Sequence, residues 1–113
     1  MSSPADVVSQ LYQTLVDRKS ATAEKSYVAS LYAKGIDAIL KKVGEEAGET
    51  LIAAKNADQA ALVHEIADLW FHTLVLMAQK NIPLSALTGE LASRFGRSGH
   101  DEKAARTSEI RNG

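Results

Sequence analysis

"KKVGEEAGETLIAAKN", residues 41–56, and, after a short turn, "LVHEIADLWFHTLVLMAQKNI", residues 62–82, decide how this chain folds. Both stretches repeat apolar residues at intervals of three and four, the period of a helix with one buried face. Ile36, Ile39, Leu40, Val43, Ala47, Leu51 and Ala54 share one side of a helix expected over about 36–55. Leu62, Ile66, Leu69, Trp70, Thr73, Leu76 and Met77 give a wide apolar face to a second helix over about 58–80. "NADQ" between them reads as a turn, with Asn56 or Asp58 available as a cap.

The flanking segments follow the same period. Pro4 suits a first helical position, and Ser3 with Asp6 has the spacing of a capping box with Asp in place of Glu. Val7, Val8, Leu11, Tyr12, Leu15 and Val16 then form a stripe, and residues 17–25 read as a polar connection. "SYVASLYAKG" predicts a short helix over 26–34 stopped by Gly35. "NIP" breaks the long second helix, and a last amphipathic helix is expected over 84–95, with Leu84, Leu87, Leu91 and Phe95 in phase. Glycines (7) and prolines (2) are few and no alternating strand pattern appears, so the sequence reads as all-α, a bundle of four to five helices. Residues 1–96 form the expected domain, and residues 97–113 a polar tail or short docking helix.

Composition narrows the function. At 113 residues the chain fits one domain, whose small core would gain from association. A net charge of −1 implies no general attraction to nucleic acid or to an anionic membrane. The absence of cysteine excludes thiolate zinc sites and cysteine nucleophiles, and it fits a reducing compartment. The first residues lack a basic segment followed by an apolar one, and no apolar run is expected to span a bilayer, which points to a cytoplasmic protein.

The acidic residues are the anomaly. Like charges three or four apart on a helix repel by roughly 0.2–0.5 kcal/mol per pair, yet Glu45, Glu46 and Glu49 are crowded together. On a helical wheel Glu46 and Glu49 lie about 60° apart at the edge of the apolar stripe, with Glu45 further round. Glu65 and Asp68 repeat the arrangement on the next helix, after fifteen intervening residues, 50 to 64. One such pair is an ordinary solvated face. Two pairs on successive antiparallel helices would converge at the margin of the core, where crowded carboxylates need a hard cation. Mg²⁺ and Mn²⁺ suit oxygen ligands, and sites of this kind hold substrate phosphates through the metal. Lys42 falls on the Glu46 side, able to pair with a carboxylate or reach a phosphate. Lys55 and Asn56 close the helix, and His72 sits one turn beyond Asp68. A lone helical histidine is more often packed than ligating, and His64 and His100 have no evident partner. Gly48 costs up to about 1 kcal/mol against alanine and would suit a close approach.

These residues resemble the phosphoribosyl-ATP pyrophosphatase family, within the MazG-like all-α nucleotide pyrophosphatases. The superfamily pattern E-E-x-x-E, spacer, E-x-x-D is matched by Glu45, Glu46, Glu49, Glu65 and Asp68. "SYVASLYAKGIDAILKKVGEE", "AAKN" and "RFGRSGHDEKAAR" are similar to the family's flanking segments, and the last narrows the match beyond the superfamily. The resemblance covers about 26–106. It implies the MazG-like fold completed by a homodimer, in which the face around Trp70 and Met77 finds cover. It implies the stand-alone form, without a fused cyclohydrolase domain. It implies Mg²⁺-dependent hydrolysis of phosphoribosyl-ATP to phosphoribosyl-AMP and pyrophosphate, the second step of histidine biosynthesis. By position, Glu46, Glu49, Glu65 and Asp68 would be metal ligands, and Glu45 or Glu46 would activate water. Lys42, Lys55 and Asn56 would contact phosphate or ribose. Ser98, Gly99, Lys103 and Arg106 would close over the phosphoribosyl end.

Two other readings use the same residues. A house-cleaning enzyme hydrolysing dCTP or dUTP would share the metal site and differ in the base and ribose contacts. A non-enzymatic helical interaction module would keep its function when the carboxylates are neutralised.

Overall fold

The computed structural model describes residues 3–95. They form five α-helices: α1 (Pro4–Asp17), α2 (Tyr27–Lys34), α3 (Ile36–Ala54), α4 (Gln59–Gln79) and α5 (Leu84–Ala92). Among the described residues there is no strand. The chain divides into two compact units between Ile82 and Pro83. In the first, α3 and α4 pack as an antiparallel hairpin, α1 lies on α4, and α2 lies on α3. In the second, α5 has no buried residue.

Local chemistry sets the helix ends. At α1 the capping box forms: the Asp6 amide donates to Ser3 Oγ at 3.2 Å, and the Ser3 amide donates to Asp6 Oδ2 at 3.3 Å. Ser26 Oγ caps α2 by accepting from the Ala29 amide, and Asp58 caps α4 by accepting from the Ala61 amide, both at 3.1 Å. Gly35 joins α2 to α3 at φ 99°, a conformation costly for a residue with a Cβ. After α4, Asn81 takes φ 58°. Its amide donates to the Ala78 carbonyl, and the Ile82 amide donates back to Met77 at 2.9 Å. This is a Schellman ending with asparagine in glycine's usual place. Lys19 Nζ holds Asn81 Oδ1 at 2.7 Å, and the Tyr12 hydroxyl donates to the Ile82 carbonyl, so α1 and its connection are fastened to this ending.

Two expectations need correcting. The connection after α1 is not wholly irregular, because Arg18–Ser20 form a 3-10 turn. The last helix stops at Ala92 instead of 95; Ser93 Oγ donates to the Glu90 carbonyl, an alternative to continuing the helix. α4, with 21 residues and a mean hydropathy of 1.3 over its most apolar 18-residue stretch, is long and apolar enough to cross a membrane by those measures alone. Its apolar character has a local cause, since part of it packs on α3, and it carries Glu65 and Asp68, costly inside a bilayer.

The core is built from Leu15, Val28, Leu31, Ile39, Leu74, Val75, Met77 and Ala78. On α3 the buried positions are Ile39, Glu46 and Ala53, spaced seven apart. That line is rotated from the expected stripe, whose members Leu40 and Leu51 are exposed. Glu46 therefore sits in the middle of the buried line and not at its edge. Met77 is covered within the chain, contrary to expectation, whereas Leu51, Ile52, Val63 and Trp70 are 71, 68, 57 and 57 % exposed. Gly48 answers to no close approach here: a Cβ at that position would meet nothing within 4 Å.

Candidate functional site

The hairpin of α3 and α4 brings three of the expected carboxylates together. One oxygen each from Glu46, Glu49 and Glu65 lies within 4.8 Å of the others. Glu46 is 5 % exposed, Glu65 is partly buried, and Glu49 faces solvent. Glu46 Oε2 and Glu65 Oε2 are buried and have no hydrogen-bond partner. An uncompensated buried carboxylate oxygen costs several kcal/mol, so two of them converging need a positive partner or a proton. Without a cation, the crowding raises the proton affinity of Glu46 and Glu65. Burial pushes the Glu46 carboxyl up, with Glu49 and Asp68 adding to the shift and His72 opposing it. A shared hydrogen bond with Glu49 pushes Glu65 up, with burial adding to it and His64 opposing. The donor set is all oxygen, with one open, solvent-facing member. Such a set suits a hard divalent cation that keeps waters for exchange with a ligand.

The other expected residues are placed as follows. Asp68 stands beside the trio, but its Oδ2 lies 3.3 Å from His64 Nε2, which supplies the partner that His64 lacked in the sequence reading. Glu45 is turned outward and pairs with Lys42 at 3.5 Å and Lys41 at 4.0 Å. Lys42 Nζ also reaches Glu46 Oε1 at 3.8 Å. Tyr27, Glu45 and Glu46 together hold its ammonium above its ordinary pKa, against the effect of burial. Lys55 and Asn56 are exposed at the end of α3, about 9 Å of helix axis beyond Glu49. Ser98, Gly99, Lys103 and Arg106 lie outside the described residues, as does His100.

One element of the site escaped the sequence. His72 is buried behind Glu46, its Nδ1 3.8 Å from Glu46 Oε1. The same nitrogen lies 2.9 Å from the Asp68 carbonyl oxygen, which can only accept, so Nδ1 carries the proton. In the neutral ring Nε2 is then an acceptor, and the Tyr27 hydroxyl donates to it at 2.8 Å. Phe71 meets the ring edge-on, at 5.3 Å between centroids. Tyr27, His72 and the Asp68 carbonyl form a hydrogen-bonded chain behind Glu46. The place of His72, seven residues after Glu65, is a helical-phase signal that points to this side of the site. Tyr27 gives no such signal, because only the packing of α2 on α3 brings it in.

The chain matches the family model described as phosphoribosyl-ATP pyrophosphohydrolase over residues 8–95. It is similar to the phosphoribosyl-ATP pyrophosphatase of Hydrogenovibrio crunogenus, 54 % identical over 90 % of this chain and 94 % of the relative. It is also similar to the phosphoribosyl-ATP pyrophosphatases of Methylococcus capsulatus and Geobacter sulfurreducens. The first is 54 % identical, over 89 % of this chain and 96 % of the relative. The second is 51 % identical, over 94 % and 98 %.

Replacing Glu46 by glutamine separates the carboxylate penalty from the fold. A carboxyl whose folded-state pKa is raised contributes stability below its unfolded value, and that contribution is lost as pH rises through the raised one. Without divalent cations, wild-type thermal stability is therefore expected to decline from about pH 4 upward, and Glu46→Gln to decline less. Thermal melts with and without Mn²⁺ should show a stabilising shift in the wild type and little in the variant. An equal Mn²⁺ shift in both would remove Glu46 from the cation site.

Proposed function

This chain belongs to the phosphoribosyl-ATP pyrophosphohydrolase family, and we propose that its converging carboxylates carry out that hydrolysis. It is a hydrolase of histidine biosynthesis, converting phosphoribosyl-ATP and water to phosphoribosyl-AMP and pyrophosphate. The observation that carries the site assignment is the pair of buried, unpartnered oxygens on Glu46 and Glu65, converging with Glu49.

Glu46, Glu49, Glu65 and Asp68 would hold Mg²⁺, for which Mn²⁺ could substitute; Asp68 would have to leave His64 to join the set. When bound, the ion supplies charge neutralisation for the phosphate oxygens and makes water more acidic. The chain's own groups do the rest. His72, tied to Tyr27 and to the Asp68 carbonyl, backs Glu46 at 3.8 Å. Glu45, turned outward and paired with Lys42, is one candidate to take the proton of the attacking water once Lys42 turns to a phosphate. Glu46 is the other candidate for that role. Lys55 and Asn56 contact phosphate or ribose from the end of α3. Residues 1–96 act as the catalytic domain, and Ser98, Gly99, Lys103 and Arg106 of the remaining tail close over the phosphoribosyl end.

The enzyme works as a homodimer in the cytoplasm. The exposed Leu51, Ile52, Val63 and Trp70 support this, since they belong to the two helices that carry the site and are left uncovered by one chain. Sedimentation at micromolar concentration is expected to give twice the chain mass, and Leu51→Asp to lower it to one; a wild-type monomer would rule the dimer out.

Glu49→Gln and Asp68→Asn are expected to lower kcat for phosphoribosyl-ATP by about 10²-fold or more, with the circular dichroism of the wild type retained. Unimpaired turnover in both would favour the interaction-module reading. In a side-by-side assay phosphoribosyl-ATP should be hydrolysed faster than dCTP or dUTP; the reverse order would move the chain to the house-cleaning reading.

A further inference from the structure

A cavity of about 330 Å³ opens where the end of α1, the connection to α2 and the middle of α4 meet. Leu15, Val28 and Phe71 supply apolar surface, and Arg18, Lys25 and Tyr27 supply polar groups. Its lining holds two cations and no carboxylate, in a chain whose net charge is −1. Neither Arg18 nor Lys25 makes an ion pair among the described residues. The volume is at the lower end of the range for small-molecule sites.

The cavity shares a wall with the carboxylate site. Tyr27 lines the cavity, and its hydroxyl donates to His72 at 2.8 Å. Phe71 also lines it and meets the same ring edge-on. On the far side of that ring stands Glu46. Tyr27, half-exposed, stands between a cluster of carboxylates with solvent-facing Glu49 and a hollow lined by two cations. A ligand that complements both carries a metal-binding phosphate chain at one end and a separate phosphate at the other, joined by flat or apolar groups.

We propose that this cavity is the subsite for the ribose phosphate that the reaction leaves intact, with Arg18 and Lys25 as its cationic contacts. The inference rests on the substrate assigned above, whose phosphoribosyl group carries that second phosphate. Arg18 offers a fork that can hold two phosphate oxygens at once, and Lys25 a point charge. Phe71 and Tyr27 lie against the sugar. Discrimination against simple nucleoside triphosphates then comes from this cavity, because they reach the carboxylates equally well but leave it unfilled.

The test uses Arg18→Gln, Lys25→Gln and the double variant in the full chain. Both residues are exposed, so folding should be unaffected, and a retained Mn²⁺ thermal shift checks that the carboxylate site is intact. KM for phosphoribosyl-ATP is expected to rise about tenfold or more in the double variant. Ribose 5-phosphate alone should shift amide resonances of residues 14–28 in the wild type and not in the double variant. A KM within about twofold of wild type overturns the proposal, and so does ribose 5-phosphate that leaves those resonances unmoved. If the wild type fails to hydrolyse phosphoribosyl-ATP, the substrate assignment is what fails, and the ribose 5-phosphate titration still decides the subsite.

Discussion

A glutamate in the middle of a buried helix line is the constraint on which the rest of this molecule depends. Glu46 lies between Ile39 and Ala53 on the face of α3 that the chain covers, and one of its oxygens has no partner. An apolar residue there would pack at no electrostatic cost. The surroundings are arranged to hold the carboxylate in place without neutralising it. His72 presents an N–H whose main partner is a backbone carbonyl, and Lys42 reaches Glu46 only at 3.8 Å while lying closer to Glu45. Glu49 and Glu65 then bring more negative charge to the same point. The arrangement is unfavourable as a core and suited to a cation.

That arrangement explains how the other elements are used. α3 and α4 serve as rigid rails, since carboxylates on a helical hairpin are held at fixed spacing without loop strain. α2 adds Val28, Ala29 and Leu31 to the core, and it delivers Tyr27 to the back of His72. The Schellman ending at Asn81 and its ties to Lys19 and Tyr12 fasten the connection after α1, on which Arg18 and Lys25 stand. Meanwhile the outer faces of α3 and α4 keep Leu51, Ile52, Val63 and Trp70 in solvent. One chain is too small to bury them and also surround a charged site.

Much of this was legible in the sequence, where the governing interactions are local. Ser3 and Asp58 cap helices because a short oxygen-bearing side chain at that spacing reaches an amide three residues on. Gly35 and "NIP" end helices for backbone reasons. The spacing of Glu46, Glu49 and Glu65 foretold their convergence, because helical phase and an antiparallel turn suffice to bring them together. What was not legible depends on tertiary packing. The buried face of α3 is rotated from the apolar stripe, since that stripe mixes residues covered by this chain with residues left exposed by it. Met77 is covered by its own chain, and Trp70 is not. Asp68 faces His64 because an i,i+4 neighbour competes with the trio for its carboxylate. Tyr27 gave no signal, because its role exists only once α2 is laid on α3.

The measurement that tests the central claim most directly is a crystal structure with Mn²⁺, read from its anomalous scattering. The account predicts one strong peak between α3 and α4 within coordination distance of Glu46, Glu49 and Glu65, with the two orphaned oxygens among the ligands. A peak elsewhere, or Glu46 still without a partner beside a bound ion, would contradict it.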